Sequence, residues 1–339
     1  MSVVCNITIL FLFVYTMWKY LTGAVLTSSL LYVLKKYFAG GVCRCTRLLD
    51  RQVVIITGAT SGIGKALAFL LAARGATIIL ACRDVTKATI VKTEIIEQYP
   101  VLVFVKELDL NSFSSIVKFA HNINDEFKYV YALVNNAGVF YHPQQLTEDH
   151  FDVTFQTNYL GPFVLTHCLL KSLTRSPNSR IVNVVSEAHR ILQIERLINI
   201  TTSQTLFRPH ITAYAASKLA LVLFTRHLAE KLTSTKIFVN AVNPGNCETD
   251  IFRHFPALSN KWLFALQWII RVIVVKRPSE GAQTVLHAIL TEDPCTGQYL
   301  TDCKVEVPSK LAANDTIATQ YYNLTRNILK ENVNLNCRL

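Results

Sequence analysis

From Val53 the chain reads Val53-Val-Ile-Ile-Thr-Gly-Ala-Thr-Ser-Gly-Ile-Gly-Lys-Ala66, an apolar β-branched run, a glycine-rich turn and the opening of a helical pattern. Few folds accept this. Gly58, Gly62 and Gly64 let the backbone turn sharply, and the helix that follows points its unpaired amide groups back into the turn. Such a turn can approach a pyrophosphate closely and meet its charge with those amides. Thr60, Ser61 and Ile63 complete the candidate loop. A tight turn with no ligand is the alternative, and the placement between strand and helix is what raises the pattern above a bare glycine spacing.

The chain continues in the same alternation. Strand-like runs at Thr77 to Ala81, Val103 to Glu107, Val130 to Val134, Ile181 to Val185 and Ile237 to Val242 are separated by helical patterns, the first from Lys65 to about Arg74. Parallel strands joined by helical crossovers predict an α/β fold, a Rossmann-type doubly wound parallel sheet that binds ligands outside the carboxyl ends of its strands. No linker or repeat divides residues 46–339, so one domain is expected there.

Tyr214 and Lys218 stand one helical turn apart in Ala213-Tyr-Ala-Ala-Ser-Lys-Leu-Ala220, downstream of a strand-like run that ends at Ser186. Side chains at that spacing leave the same helix face, so an ammonium ion can lie beside a phenol and favour its ionised form. This is the equipment of a general acid/base for a carbonyl or alcohol. Such pairs are common by accident, and this one gains meaning from the glycine-rich turn ahead of it.

These residues, with Asn135-Asn-Ala-Gly138, Asn158 and Asn243-Pro-Gly245, stand in the order of the short-chain dehydrogenase/reductase family, which the chain resembles from about residue 50 to about residue 300. Asn158-Tyr-Leu-Gly161, Leu221-Val-Leu-Phe-Thr-Arg226, Glu280-Gly-Ala-Gln-Thr284 and Tyr299-Leu-Thr-Asp-Cys-Lys304 are similar to its membrane-anchored retinol dehydrogenase (retinal reductase) branch. The resemblance implies that Tyr214 exchanges the proton with the substrate oxygen and that Lys218 lowers its pKa and holds the nicotinamide ribose. It also implies that Ser186 hydrogen-bonds the substrate oxygen, and that Asn158, on the helix after the fourth strand, holds a water behind Lys218. Strand-end turn and buried polar residue are the plainer roles for Ser186 and Asn158.

The implied cofactor is NADP(H). Arg83 follows the second strand, where a cation meets the 2′-phosphate, although the adjacent Asp84 alone would suggest NAD. By the same resemblance Asp109 and Leu110 lie at the adenine, Asn136, Ala137 and Gly138 at the nicotinamide ribose, and Pro244, Gly245 and Thr249 at the carboxamide. The Asn136–Gly138 turn also reads as packing for the central strand.

Residues 1–45 differ in kind. Ile7 to Trp18 is almost wholly apolar, Lys19 interrupts, and Tyr20 to Leu34 resumes, long enough for the ~20 residues a bilayer helix needs. Positive charge follows at Lys35, Lys36, Arg44, Arg47 and Arg51, which predicts an uncleaved signal anchor with the catalytic domain facing the cytosol. The alternative is an interfacial or re-entrant hairpin bent at Lys19. The endoplasmic reticulum is the simplest address for such an anchor, with mitochondrion and lipid droplet as the other homes of the resembling branch.

The net charge of +11 is scattered apart from that juxtamembrane group, so anionic headgroups rather than nucleic acid are its expected partner. The nine cysteines lack paired metal-ligand spacing. No metal is therefore expected, and free thiols are, with acylation of Cys43 or Cys45 as an alternative. Trp262 to Val275 is apolar around Arg271 and sits where the resembling family carries its substrate lid. A lid and an anchor suit a lipophilic, membrane-dissolved substrate, retinal or retinol first, with a steroid or long-chain isoprenoid as the alternative. A homo-oligomer is left open, and a non-catalytic membrane-bound cofactor sensor or scaffold is the reading from another class.

Overall fold

The computed structural model describes residues 2–194, 197–198, 210–247 and 273–332. The chain divides into two compact units, one of Met1–Gly40 with Asn260–Val275 and one of Gly41–Ser259 with Lys276–Leu339. Thr249 and residues 262–272 of the expected lid lie outside the described residues.

In the first unit, one helix, α1, runs over Ser2–Ala39. It passes unbroken through Lys19, so the bend considered there is not present. The Lys19 ammonium lies 4.5 Å from the Tyr15 ring centroid, and a cation on an aromatic face interrupts a helix less than a bare charge does. Thr16, Thr22 and Ser28 bond back to the Phe13, Trp18 and Ala24 carbonyls. Trp18, Leu21, Leu26 and Leu30 are exposed. Among the described residues no helix is long and apolar enough to cross a membrane.

The second unit is built on an eight-stranded sheet of order β3-β2-β1-β4-β5-β6-β7-β8. Its strands are β1 Val53–Thr57, β2 Thr77–Cys82, β3 Val103–Glu107, β4 Ala132–Asn135, β5 Ser179–Val184, β6 Ile237–Asn243, β7 Tyr299–Thr301 and β8 Lys304–Glu306. All pair in parallel except β7 with β8. The order turns back between β1 and β4, the crevice where such sheets hold ligands.

Crossovers are α2 Gly62–Ala72, α3 Val85–Ile96, α4 Phe113–Glu126, α5 Val153–Phe155 leading through a π-helical turn Gln156–Leu160 into α6 Gly161–Thr174, α7 His210–Lys231 and α8 Pro278–Leu290; α9 Asp315–Asn332 follows the sheet. Both faces of the sheet are covered. Val53 and Ile55 point into one apolar cluster with α4, α6 and α7, while Val54 and Ile56 point into the other with α2 and α8. That is why the strands read as continuous apolar runs rather than alternating ones.

β7 and β8 were not among the expected strands. Three residues each are too few to show a period, and their pairing rests on the Asp302-Cys303 turn, where both residues have positive φ (48° and 60°). Six of the cysteines are free thiols, but Cys168 is disulfide-bonded, a departure from the expectation.

Candidate active site

Gly58 directly follows β1, and its φ of +66° is left-handed; Gly62 opens α2 at +54°. Space matters as much as dihedral angle here. A Cβ on Gly58 would stand 2.8 Å from the Ala137 Cα, and one on Gly64 would stand 2.5 Å from both the Asn136 side-chain Nδ2 and the Gly58 carbonyl oxygen. The glycine turn and the Asn136–Gly138 turn are thus packed backbone to backbone. Thr57 ties them: its Oγ1 accepts from the Asn136 and Ala137 amides at 3.0 Å, and Asn136 Nδ2 donates to the Thr57 carbonyl at 2.8 Å. Asn136 therefore holds the turn, the plainer of its two expected roles. Ser61, the N-cap of α2, makes no side-chain cap bond.

At the end of β2, Arg83 is exposed and lines a cavity of about 270 Å³ with Asp109, Asn111, Ser112, His142 and Glu148. Asp84 is engaged elsewhere. Its carboxylate caps α3, accepting from the Lys87 amide at 2.9 Å, which holds its pKa below the usual range. An acid committed to a helix cap is not presented to a ribose, whereas Arg83 faces the cavity. Asp109 accepts from the Asn111 amide at 2.9 Å, and Leu110 is buried against Gly161.

The catalytic candidates converge from three elements. Tyr214 and Lys218 lie on α7, Ser186 follows β5, and Asn158 sits in the π-helical turn, not in the regular helix expected there. The extra residue in that turn aims Asn158 at Val139, with Oδ1 accepting from the Val139 amide at 2.8 Å and Nδ2 donating to the Val139 carbonyl at 2.9 Å and to Ser217 Oγ at 3.1 Å. Gly138 completes the cluster. A Cβ there would lie 3.3 Å from Asn158 Oδ1 and 3.6 Å from Lys218 Nζ.

Ser186 Oγ caps a short 3-10 turn, Glu187–Arg190, accepting from the Ala188 amide at 3.3 Å, and lies close enough to the Tyr214 hydroxyl to favour its ionised form. Lys218 Nζ donates to the Val184 carbonyl at 2.9 Å and stands 5.6 Å from the Tyr214 ring centroid. The electrostatics depart from the expectation. Burial pushes the Tyr214 phenol up to about 12, and the group that pulls it back is Ser186, not Lys218. Burial also pushes Lys218 down to about 8.

Three neighbours were not foreseen. His189 Nδ1 bonds the Ser186 carbonyl oxygen at 2.8 Å while its Nε2 accepts from the Ser309 amide at 3.1 Å, so a neutral tautomer pins the Ser186 turn. Glu187 accepts from Asn243 at 2.9 Å and from the Tyr299 hydroxyl, tying the ends of β5, β6 and β7. The Phe140 ring meets Tyr214 edge-on at 4.9 Å. Only the proximity of Glu187 and His189 to Ser186 hinted at them. Gly245 (φ +80°) follows Pro244 at the end of β6, its amide donating to Asn243 Oδ1 at 3.1 Å.

A glycine cradle at the switch point with a Tyr/Ser pair set against the buried Lys218 and Asn158 defines a nicotinamide-dependent oxidoreductase site, and residues 52–258 match the short chain dehydrogenase family. The chain belongs to that family and is an oxidoreductase acting on a CH–OH group. It is 40% identical over 317 residues to human retinol dehydrogenase 12, covering 91% of this chain and 98% of the relative. With human retinol dehydrogenase 11 it shares 38% over 299 residues, covering 87% and 91%. Among solved structures, a short chain dehydrogenase from Burkholderia cenocepacia J2315 in complex with NADP superposes with a TM-score of 0.60 at 26% identity, over 75% of this chain and 96% of that one. An uncharacterized protein from Mycobacterium Paratuberculosis superposes at 0.67 and 29% identity, over 86% and 98%.

Proposed function

We propose that the chain is an NADP(H)-dependent oxidoreductase that interconverts a lipophilic carbonyl and its alcohol, retinal and retinol being the first pair. The observation that carries the chemistry is the convergence of Tyr214 and Ser186 beside the buried Lys218, whose Nζ stands 5.6 Å from the Tyr214 ring centroid. The likeness to retinol dehydrogenases over nine-tenths of the chain supports the retinoid.

The residues fit a dinucleotide: Gly58, Gly62 and Gly64 clear its pyrophosphate path, Gly138 leaves room beside Lys218, and Arg83 faces a cavity of mononucleotide scale. Thr60, Ser61 and Ile63 would line the phosphates, and Asp109 and Leu110 the adenine. The bound nicotinamide supplies or accepts the hydride. Tyr214 gives its proton to the substrate oxygen in reduction and takes it in oxidation. Ser186 offers its hydroxyl to the same oxygen, stabilising developing negative charge. Lys218, anchored on Val184, lies beside the space that Gly138 keeps open for a ribose. Asn158, with both amide atoms bonded to Val139, holds the backbone that borders this space. A water held behind Lys218 by Asn158 and contacts from Pro244, Gly245 and Thr249 to the carboxamide belong to the same reading.

The exposed apolar surface of α1, with its hydroxyls bonded internally, supports a membrane anchor over residues 1–45 ahead of a catalytic domain over 46–339. We place it at the endoplasmic reticulum with the domain facing the cytosol. In sealed microsomes, added protease should digest the domain, and the glycosylation sequons Asn199-Ile-Thr201, Asn314-Asp-Thr316 and Asn323-Leu-Thr325 should stay unmodified; protection with glycosylation would reverse the topology.

The test of function is turnover of detergent-solubilised protein with NADPH or NADH and a panel of retinal, steroid ketone and polyprenal. Tyr214→Phe should abolish turnover and leave NADPH binding nearly intact. Near-normal rates in that variant would refute the acid/base assignment. A steroid or isoprenoid turned over in preference to retinal would move the substrate.

A further inference from the structure

We propose that Cys43, Cys45 and His287 bind a zinc ion that staples the segment leading into the catalytic domain onto α8. The sequence showed only two nearby cysteines, but folding brings a histidine from 242 positions downstream to Cys45, with Cys45 Sγ to His287 Nδ1 at 3.5 Å. The three ligand atoms all lie within 4.8 Å of one another. Around a tetrahedral zinc, a thiolate at ~2.3 Å and an imidazole nitrogen at ~2.0 Å stand about 3.5 Å apart, and two thiolates about 3.8 Å apart. The sulfur–nitrogen separation is already at that value, and small rotamer changes would close the others.

The scaffold around the cluster is built, not incidental. Residues 43, 45, 47 and 49 turn inward and residues 42, 44, 46 and 48 outward, so a Cys-x-Cys spacing delivers both thiols to one side of an extended segment. That segment is fixed independently. Gly41 has no room for a Cβ, which would come within 2.0 Å of the Asp302 carbonyl oxygen, and the Cys43 amide donates to Gln283 Oε1 at 3.1 Å. Gln283 and His287 are one turn apart on the same face of α8. One turn of helix thus holds the backbone of the segment and offers it a ligand.

Cys303, in the β7–β8 turn, has its amide held by Thr284 Oγ1 at 3.2 Å on the same turn of α8, but it is not one of the three donors that lie within 4.8 Å of one another. Two thiolates and a neutral imidazole would make the site charge-neutral, and a water would complete four coordination. Thiol and imidazole donors select zinc over magnesium or calcium, and binding releases the two thiol protons. The ion would lie apart from Tyr214, Ser186 and Lys218, so its role is to hold the domain's entry strand, not to act in turnover.

The experiment uses the full chain in detergent, stripped with a chelator under reducing conditions and titrated with Co²⁺ and Zn²⁺. Thiolate-to-cobalt charge-transfer absorption should saturate at about one equivalent and be displaced by zinc. Cys45→Ser and His287→Ala should each weaken cobalt binding on the order of 100-fold or more, while Cys295→Ser leaves it unchanged. NADPH binding by each variant reports whether the domain has folded, and the wild-type spectrum stands without any variant. Absence of charge-transfer absorption in the wild type overturns the proposal. So does unchanged cobalt affinity in Cys45→Ser, or mass spectrometry of the cell-derived chain showing Cys43 and Cys45 acylated or joined as a disulfide.

Discussion

Lys218 is the buried cation of the site, and its environment allows a stability prediction separate from turnover. Burial lowers its pKa from 10.5 to about 8. That is about 2.5 pH units at ~1.36 kcal/mol per unit, so carrying the charged form costs the fold on the order of 3 kcal/mol at neutral pH. The Val184 carbonyl returns roughly 1 kcal/mol through its hydrogen bond. Lys218→Met keeps the length and removes both, so it should abolish activity and yet stabilise the dinucleotide-free protein by about 2 kcal/mol at pH 7. The sign follows from proton uptake. Below pH 8 both folded and unfolded wild type carry the proton and the full cost is present; between about 8 and 10.5 only the unfolded state binds it, so wild-type stability rises with pH. The gain from Lys218→Met should shrink across that window. Urea denaturation of both proteins at pH 7.0 and 9.5, followed by far-ultraviolet circular dichroism, reads it. A variant less stable than wild type at pH 7, or a difference that does not change by pH 9.5, would refute the reasoning.

Other outcomes follow from the same geometry. Arg83→Ala should raise the NADPH dissociation constant far more than that of NADH, by fluorescence titration, because only NADPH carries the phosphate; equal loss would show that Arg83 reads something else. Gly58→Ala, at φ +66° and against Ala137, should cost about 1–3 kcal/mol in thermal unfolding and lose dinucleotide binding. Asn158→Ala leaves the Val139 amide unpaired and should destabilise by about 1–3 kcal/mol, with kcat falling beyond what a lower folded fraction explains. Burial alone would raise Glu187, but hydrogen bonds from Tyr299 and Arg190 and the Arg190 charge hold it low, so its contribution is present above about pH 4.5 and lost as pH falls through its folded pKa. Glu187→Gln should flatten that acid limb in a pH series of melting temperatures.

Much of this protein was legible in one dimension because its informative features are local. A strand, a glycine turn and a helix start follow each other from Val53 to Ala66, and a tyrosine and lysine four residues apart share a helix face wherever that helix is placed. Backbone geometry enforces such relations, so β1, the turn at Gly58 and the Tyr214/Lys218 pair could be read directly. Arg83 was legible for the same reason, since it immediately follows a strand. Tertiary structure decided what depends on contacts between distant segments. The Tyr214 phenol is pushed up because it is buried, and its opposing partner is Ser186 because Lys218 is turned to Val184. Asp84 is engaged as a helix cap by the Lys87 amide, and Asn158 is aimed by a π-helical turn that no residue pattern announced. His189, Glu187 and the Cys43/Cys45/His287 cluster exist as groups only after the sheet has closed, because each joins residues whose separation along the chain carries no period. Sequence spacing specifies local direction; burial, and hence charge and affinity, belongs to the fold.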